Sequence, residues 1–474
     1  MSTSSGTPDG DGSDRLARRI FQASILLAVL GGVFLAGLYS GATRNALYRL
    51  VWQLRENVRL VVEDTSLTGE PIHFLQPARQ PGSGVTVNER AGEDGLVLLA
   101  GFFDGGNELR LVRRDGTPVR RWPVRFSEHF PETDHLALPP QSDLNVDLHG
   151  ALVTPDGSVV FNYEYGGLVK LSRCGEVEWT LAHPVHHSVE RAEAGGYWVP
   201  GREYLYPDQE GKFPPFTSLT GETVDDYRYD EDYILRVSEE GEILEAVSIP
   251  QILYDSGLEP VLTATGYGFA GAFRHLDREI VHVNKIAELP AAMAGAFPGL
   301  EAGDLMLSMR EYNLVVIVDP ETWRVRWHQT GPWRRQHDPE FTPDGRIAVF
   351  NNNAYTISLG AGWGSRWQSD PEAPRVSNIV LMDPATREWE VAYGGREGQE
   401  FLTVLRGKHE ALPGGGFLVT EFEAGRVFEV DAEGRLVWEY INRYDDDRVL
   451  EITEARLYPS SYFTVPDWNC PDRG

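Results

Sequence analysis

The chain has 474 residues, enough for a large buried core, and its 71 acidic and 43 basic residues give a formal net charge of −28. So acidic a surface repels phosphate backbones, which argues against nucleic-acid binding, and two cysteines exclude a disulfide-rich scaffold and a Cys-rich zinc module. Only four basic residues are lysine, and this composition is more typical of solubility or salt tolerance than of a partner-binding surface.

The first predicted element is an apolar helix near the N-terminus. Residues 20–39 contain only two polar side chains in their body, and twenty residues is the length that spans a bilayer as a helix. Three arginines within residues 15–19 favour a cytoplasmic N-terminus and an exported remainder. Outside the cytoplasm, Cys174 and Cys470 are able to form a disulfide, but separate burial of the two thiols stays equally open.

This helix divides the predicted chain into a tail, an anchor and an exported body. We expect a cytoplasmic tail at 1–19, a single-pass anchor in the cytoplasmic membrane at 20–39 and a stalk at 40–60. The body then faces the periplasm or the cell exterior. Small residues at 40–42 leave a cleaved signal peptide as the alternative, and in both cases most of the protein works outside the cytoplasm.

Beyond the stalk the sequence repeats a strand-and-turn unit. The six copies occupy residues 94–124, 156–181, 195–201 with 232–249, 303–331, 344–353 with 377–395, and 414–442. A supersecondary unit repeated in this way predicts an all-β fold, a six-bladed β-propeller over residues 61–474. We expect the innermost strand of each blade to lie just before its Gly turn, and residues 455–463 to supply a strand that closes the ring. A tryptophan recurs near the end of several copies and is interpreted as a packing residue.

Histidines recur at the predicted innermost strands. His149, His187 and His337 each precede the Gly of their turn by eight residues, and His409 precedes its Gly by seven. His282 opens the corresponding strand of the blade whose turn is delayed. Because innermost strands line the central channel of a propeller, we expect these imidazoles to converge at one mouth of the channel. The alternative is structural, with His capping the strand against a neighbouring blade.

Polar residues accompany this predicted histidine group. Asn284 follows His282 by two residues and is placed to fix its tautomer, and Arg310 is expected on the next strand of the same blade. Arginine with several histidines forms a site for a tetrahedral oxyanion, and a neutral imidazole is also a nucleophile. We therefore assign Asn284, His149 and His409 to substrate binding. A metal site is the alternative, although a neighbouring arginine disfavours a cation.

The motifs at these positions, taken in order, resemble those of a known family. HHS (186–188), HVN (282–284), SMR (308–310) and QHD (336–338) are similar to motifs of the bacterial arylsulfate sulfotransferases. These are exported six-bladed propellers that move a sulfuryl group between phenols without a nucleotide sulfate donor such as PAPS. The resemblance covers the chain from about Asn145 onwards, and the sequence also contains no phosphate loop for such a nucleotide.

The resemblance implies catalytic roles for four residues. His337 would be the nucleophile that becomes sulfohistidine, while His187, His282 and Arg310 would hold the sulfuryl oxygens. One of these histidines would protonate the departing phenolate, and His186 competes with His187 for its role. The resemblance also implies ping-pong transfer from an aryl sulfate to a phenol, with no cofactor. It leaves the natural substrates and the oligomeric state open.

Two aromatic-rich insertions are predicted to cover the channel. Residues 202–231 and 354–376 interrupt their blades between the second and third strands. The candidates for stacking on a phenol are Tyr204, Tyr206, Trp363 and Trp367, against the alternative that both loops merely cover the blades.

The sequence departs from the family pattern at two places. Residues 279–281 are Glu-Ile-Val where Asp-Trp is usual, and Met309 separates Ser308 from Arg310. We therefore expect a divergent member. The alternative function is an inactive, membrane-anchored propeller that binds an anionic ligand or a protein partner. A metal- or quinone-dependent propeller oxidoreductase or hydrolase is a further alternative.

Overall fold

The computed structural model describes most of the chain after its N-terminal residues. The described residues are 10–43, parts of 47–58, 74–136, 139–140, 142–205, 229–263, 281–354 and 376–470. The chain divides into two units, Met1–Gly69 and Glu70–Gly474.

The first unit contains one long helix, α1 (Gly10–Thr43). Its segment from Arg15 to Gly41 contains an 18-residue window with a mean hydropathy of 2.1, and its large apolar side chains are exposed. The predicted apolar helix at 20–39 is therefore confirmed, and it extends beyond both predicted ends. By length and composition it is able to span a membrane.

The second unit consists mainly of antiparallel strands. In chain order the described strands are β1 (Leu75–Pro77), β2 (Gly84–Asn88), β3 (Leu96–Phe103), β4 (Gly106–Arg113), β5 (Pro118–Pro123), β6 (Leu148–Val153), β7 (Val159–Tyr163), β8 (Gly167–Leu171), β9 (Val177–Leu181), β10 (Glu190–Arg191), β11 (Tyr197–Leu205), β12 (Tyr229–Val237), β13 (Ile243–Ser248), β14 (Val283–Glu288), β15 (Leu305–Met309), β16 (Leu314–Asp319), β17 (Arg324–Thr330), β18 (His337–Phe341), β19 (Ile347–Asn351), β20 (Asn378–Met382), β21 (Trp389–Tyr393), β22 (Lys408–Ala411), β23 (Phe417–Glu421), β24 (Arg426–Val430), β25 (Leu436–Ile441), β26 (Arg448–Leu450) and β27 (Ile452–Tyr458). The short helices are α2 (Phe126–His129), α3 (Ile249–Asp255), α4 (Glu259–Thr263) and α5 (Ala291–Ala294).

Six of the sheets are the blades of a β-propeller. From the innermost strand outwards they are blade 1 (β27-β3-β4-β5), blade 2 (β6 to β9), blade 3 (β10 to β13), blade 4 (β14 to β17), blade 5 (β18 to β21) and blade 6 (β22 to β25, then β2). Strand β1 pairs with β26 in a separate two-stranded sheet. The predicted all-β, six-bladed propeller is confirmed.

The apolar core lies between neighbouring blades. Between blades 1 and 2, for example, Leu98 and Leu111 pack in one cluster with Phe161 and Val169, and all four side chains are fully buried. Because both faces of each blade are covered in this way, the central strands are apolar on both faces. The outermost strands β9, β13 and β17 instead alternate or remain exposed.

Blade 1 is completed by the end of the chain. Strand β27 pairs with β3 from Ile452 opposite Gly101 to Tyr458 opposite Leu96, which confirms that the C-terminal region closes the ring. The expectation that the innermost strand of blade 1 precedes its own Gly turn is wrong, because β2 lies there and pairs with the outer strand β25 of blade 6. The pairing of β27 with β3 and that of β2 with β25 cover strand edges that would otherwise be open.

Tryptophans of the outermost strands connect neighbouring blades. Trp179, Trp327 and Trp438 donate their indole N–H to a backbone carbonyl of the next blade, at 2.8, 2.9 and 2.7 Å. Trp122 makes the same kind of contact from blade 1 to blade 2. Trp389 of blade 5 is 53% exposed, so the expected packing role is wrong for this residue.

A disulfide fastens the C-terminal segment to blade 2. Cys174 lies between β8 and β9, and it bonds to Cys470, with the two Cα atoms 5.6 Å apart. This pairing decides between the two alternatives that the sequence left open.

Candidate active site

Blades 2 to 5 bring five histidines together at their innermost strands. His149 lies in β6, His186 and His187 precede β10, His282 directly precedes β14, and His337 opens β18. His187 is the centre of the group: the centroid of its ring lies 4.0 Å from that of His149, 5.0 Å from His186, 5.0 Å from His282 and 6.0 Å from His337. All five side chains are buried.

His409 does not join this group through its ring. The ring contacts Phe350 and Phe417, with centroids 6.4 and 5.8 Å apart, and its Nδ1 lies 3.7 Å from an oxygen of Asp338. Burial lowers the pKa of His409 to about 4, so its imidazole is neutral at pH 7. Its position at the start of β22 fits the sequence pattern, but its surroundings are those of a packing residue.

The hydrogen bonds of His337 fix its tautomer. Its Nδ1 lies 2.7 Å from Asn352 Oδ1 and 3.1 Å from the carbonyl of Arg335. The amide nitrogen of Asn352 donates to the carbonyls of Thr403 and Arg406, which orients the amide oxygen towards the imidazole. Because both neighbours of Nδ1 are acceptors, Nδ1 carries the hydrogen and Nε2 keeps its lone pair.

The second nitrogen of His337 is therefore buried and unprotonated. Within the part of the chain that the structure describes, His337 Nε2 has no hydrogen-bond partner. Burial holds the pKa of His337 well below its usual value, and the positive charge of Arg310 lowers it further, against the opposing hydrogen bond to Asn352. The imidazole is neutral at pH 7.

Arg310 is positioned by its own blade. Its backbone N–H donates to the carbonyl of His282 at 3.2 Å, where the 3-10 turn Arg310–Tyr312 follows β15. Its Nε and Nη2 donate to one oxygen of Glu311 at 3.0 and 2.7 Å. Arg335 donates to the same oxygen at 3.0 Å. Glu311 therefore holds both guanidinium groups beside the strand that carries His337.

Asn284 acts on the backbone rather than on the imidazole of His282. Its amide donates to the carbonyl of Gln336 at 2.8 Å, directly before His337. The Gln336 side chain in turn donates to Ser308 Oγ at 3.1 Å. The expected hydrogen bond from Asn284 to the ring of His282 is therefore wrong, and Asn284 instead connects β14 to β18. The amide that fixes the tautomer of a histidine is that of Asn352, which bonds to His337.

Burial also keeps His149 and His187 neutral. Burial lowers the pKa values of His149 and His187 well below 6.5, and repulsion from neighbouring charges and imidazoles adds to the effect. Among the described residues, no group of three or more His, Cys, Asp or Glu side chains is arranged to hold a metal ion. The arrangement combines buried imidazoles with an arginine, and these groups are suited to hold an oxyanion.

A sequence profile of the arylsulfotransferase (ASST) family matches residues 147–443, a range that contains all five histidines and Arg310. The chain belongs to the arylsulfotransferase family. This membership supports a sulfotransferase enzyme in general, and it agrees with the resemblance carried by the four sequence motifs. No curated protein matches the sequence significantly.

Several solved structures resemble this arylsulfotransferase in their fold. A protein of unknown function from Bacteroides caccae is 14% identical, with a TM-score of 0.43, and the match covers 73% of this chain and 94% of that one. The β-propeller domain of Cps50 (Swd1) from Myceliophteria thermophila is 8% identical, with a TM-score of 0.38 and coverages of 78% and 90%. An inactive variant of virginiamycin B lyase from Staphylococcus aureus, with quinupristin, is 10% identical, with a TM-score of 0.33 and coverages of 65% and 74%.

The aromatic candidates of the arylsulfotransferase insertions fall in different places. Tyr204 lies in β11, opposite Asp230 of β12, and is half-buried, so the expectation that it belongs to a covering loop is wrong. Strand β11 extends to Leu205, and β12 begins opposite it at Tyr229. The two strands stay paired over this length because pairing satisfies their backbone N–H and C=O groups. Tyr206, Trp363 and Trp367 lie outside the described residues.

Sequence reasoning missed Gly150, although it directly follows His149. A Cβ atom at this position would lie 2.1 Å from the carbonyl oxygen of His187. Asn162 accepts from the Gly150 N–H and donates to the same carbonyl, at 3.1 and 3.2 Å. His187 itself has a φ of +56°, which few non-glycine residues adopt. Glycine is therefore needed where β6 approaches the backbone of His187.

We expect Gly150→Ala to reduce kcat of the arylsulfotransferase by about 10²-fold, because the new methyl group displaces His187 and misplacement near 1 Å has that effect. The measurement is nitrophenol release from a nitrophenyl sulfate. Gly295→Ala is the matched control, since nothing lies within 4 Å of a Cβ there. Equal rates in both variants would mean that the position of His187 does not limit turnover.

Proposed function

We propose that this arylsulfotransferase moves a sulfuryl group from an aryl sulfate to a phenol, without a nucleotide donor, through a sulfated His337. The observation that carries the proposal is the state of His337: Nδ1 donates to Asn352 and Arg335, and Nε2 is buried with its lone pair unused among the described residues. A neutral, desolvated imidazole in a fixed tautomer is the form that attacks an electrophile.

In the proposed first half-reaction, His337 Nε2 attacks the sulfur of the donor as the sulfur–oxygen bond to the phenol breaks. The oxygen keeps the electron pair and leaves as a phenolate. Sulfuryl transfer, like phosphoryl transfer, spreads charge over the peripheral oxygens, so positioning and cationic donors dominate. Arg310, His187 and His282 are the groups proposed to hold those oxygens. The hydrogen bond from Nδ1 to Asn352 stabilises the positive charge that the sulfated ring acquires.

In the second half-reaction, the oxygen of an acceptor phenol attacks the sulfur, its O–H proton passes to a histidine of the group, and the sulfur–nitrogen bond breaks. The electron pair returns to His337 Nε2, and loss of the proton to solvent restores the resting enzyme. One covalent intermediate shared by two half-reactions gives ping-pong kinetics.

The remaining site candidates divide between substrate and scaffold. We retain His149 as a substrate contact, because its ring packs against His187 at the centre of the group. We assign Asn284 and His409 to the scaffold, since one holds the Gln336 carbonyl and the other faces Asp338.

We also propose that α1 anchors the protein in the cytoplasmic membrane, with the propeller exported to the periplasm or the cell exterior. The apolar length of α1 and the preceding arginines support this orientation. The bond between Cys174 and Cys470 supports it independently, because structural disulfides persist mainly in oxidising compartments.

Trapping the intermediate tests the proposed function. The full-length protein in detergent is mixed briefly with 4-nitrophenyl sulfate, quenched and analysed by intact mass and peptide mapping. We expect one sulfuryl adduct on the peptide that contains His337, and its loss when a phenol is added. Binding of the donor without an adduct or nitrophenol release would instead favour the inactive anion-binding propeller.

We expect the rate of His337 sulfation by 4-nitrophenyl sulfate to stay level from pH 8 to pH 6.5 and to fall only in more acidic solution. The pKa of His337 lies well below 6.5 because the ring is buried and Arg310 is near, so protonation removes the Nε2 lone pair only below that value. Single-turnover rates measured across this range check the prediction. A decline that begins near pH 7 would contradict a buried, neutral nucleophile.

A further inference from the structure

A cavity of about 470 Å³ lies between blades 5 and 6. It is bordered on blade 5 by the turn after β18 and by β21, and on blade 6 by the turns after β22 and β24. Among the residues that line it are Leu381, Glu390, Tyr393, Leu412, Phe417 and Ala432. His337 opens β18, whereas the cavity begins after the end of that strand, so this blade 5/6 cavity is separate from the histidine group. Its volume is that of a small-molecule site.

Four other junctions between blades contain an indole at a constant place. In each of them the indole N–H donates to a carbonyl in the turn between the third and fourth strands of the next blade. The donors are Trp122, Trp179, Trp327 and Trp438, and the acceptors are, in the same order, the carbonyls of Arg173, Glu239, Pro384 and Arg114. Each acceptor directly follows the residue whose N–H closes its turn. In blade 6 the residue whose N–H closes the turn is Asp431, so the corresponding carbonyl is that of Ala432.

The described strands of blade 5 carry no indole that faces this carbonyl. In blades 2, 4 and 6 the tryptophan pairs with the residue two places before the one that closes the turn. In blade 5 that residue is Leu381, and its partner is Glu390. Because Leu381 packs in the core between blades 5 and 6, and paired residues point to the same face, Glu390 takes the place of the indole. Trp389 is the next residue along β21 and points to the opposite face, which explains its exposure.

No other described element replaces the indole at this junction. Between blades 3 and 4, where Glu245 stands at the tryptophan position, α3 packs Ile252 into the core. Gln399 reaches the turn of blade 6, but its amide donates to the carbonyl of Gly434, at 3.3 Å. Within the part of the chain that the structure describes, no donor is bonded to the carbonyl of Ala432. The junction therefore keeps both the space and the acceptor that an indole uses elsewhere.

We propose that the blade 5/6 cavity binds a small, planar aromatic molecule of about the size of indole that carries an N–H or O–H donor. The donor bonds to the carbonyl of Ala432, as the indoles do at the other junctions. The ring lies beside Phe417, which begins the second strand of blade 6. Tyr197 begins the second strand of blade 3 in the same way, and its ring centroid lies 6.2 Å from that of Trp179.

The charged groups around the cavity favour a neutral ligand over an anionic one. The charged residues that line it are the acidic Asp344, Glu390, Asp431 and Glu433 and the basic Arg346 and Arg396. Arg346 already bonds to Asp344 at 2.8 Å and to Glu390 at 2.7 Å. An aryl sulfate is therefore disfavoured here, whereas a neutral indole or phenol is not. The proposal does not depend on sulfuryl transfer, because none of the lining residues belongs to the histidine group.

Fluorine NMR of 5-fluoroindole, titrated with the full-length protein in detergent, tests the proposal. We expect a dissociation constant of roughly 0.1–1 mM, as a ligand of about ten non-hydrogen atoms allows. Glu390→Trp should weaken binding about tenfold or more, because the new indole fills the cavity. Glu390→Gln is the matched control, since it keeps the size of the side chain, and its affinity should stay within about twofold of that of the unchanged protein.

The donor is tested with 1-methyl-5-fluoroindole, which has no N–H. It should bind about fivefold more weakly than 5-fluoroindole, because the hydrogen bond to the carbonyl of Ala432 is lost. Equal affinities of the two compounds would overturn the assignment of that carbonyl as the acceptor.

The thermal unfolding of Glu390→Trp, followed by circular dichroism, is the second check. We expect its Tm to equal or exceed that of the unchanged protein, because the same side chain fills the other junctions. A lower Tm would mean that the cavity does not accept an indole. No binding to the unchanged protein, or equal binding to the unchanged protein and to Glu390→Trp, would also overturn the proposal. None of these results bears on the His337 adduct, which tests the proposed function separately.

Discussion

His337→Asn should reduce arylsulfate-dependent transfer by roughly 10⁴-fold or more, as loss of a covalent nucleophile does in other enzymes. Asparagine places an amide where Nδ1 stood, so the hydrogen bond to Asn352 is retained while Nε2 is lost. The variant thus removes the attacking atom with little change in packing. Steady-state turnover and adduct formation, both with 4-nitrophenyl sulfate, measure the effect.

His409→Asn is the matched control for this variant. His409 is also a buried, neutral histidine at the start of an innermost strand, but its ring faces Asp338, Phe350 and Phe417. We expect most of the activity to remain. If the His337 variant kept full turnover, the covalent mechanism would be excluded; if both variants lost activity equally, the loss would reflect the inner strands in general.

Arg310→Lys should lower kcat/KM by about 10²- to 10³-fold, which is the usual effect of removing one donor from developing oxyanion charge. Lysine keeps the positive charge but lacks the planar guanidinium group, whose N–H donors bind two oxygens at once. Only Nε and Nη2 of Arg310 bond to Glu311 within the described contacts, so Nη1 is the donor left for a sulfuryl oxygen. Rates with a nitrophenyl sulfate, with circular dichroism as a check of folding, measure the loss.

Arg335→Lys is the corresponding control. Arg335 bonds to the same Glu311 oxygen, and only its backbone carbonyl contacts His337. Its variant should therefore lose far less than that of Arg310. An unchanged rate in Arg310→Lys would mean that Arg310 supports Glu311 and does not bind the sulfuryl group.

The sequence predicted those parts of the structure that the blade repeat dictates. Each blade turns the chain in the same way, so a histidine at a constant distance before a Gly turn falls at the same place on the axis. This is why His149, His187 and His337 could be placed together, and His282 joined them because it opens the corresponding strand of its own blade. The repeat does not fix where a ring points, which is why His409 fits the pattern but not the group.

The residues that sequence reasoning missed lie where tertiary contacts decide. Asn352 reaches His337 because β19 pairs with β18, with His337 opposite Phe350, and a run of three asparagines at the end of β19 was the available signal. Asp232 lies 3.5 Å from His186 Nε2 but follows a long insertion in blade 3, so no spacing in the repeat connects the two residues. No local sequence pattern shows that β2 joins blade 6 or that β27 joins blade 1.

The closure of blade 1 sets the order in which this enzyme is assembled. Strand β3 is synthesised early, but its inner partner β27 begins only at Ile452, close to the end of the chain. Until then β3 presents an unpaired edge, and such edges attract other strands and promote aggregation. Contacts between such distant parts of a chain also form slowly. A nascent chain that lacks β27 therefore carries every residue of the histidine group without the closed ring that holds them.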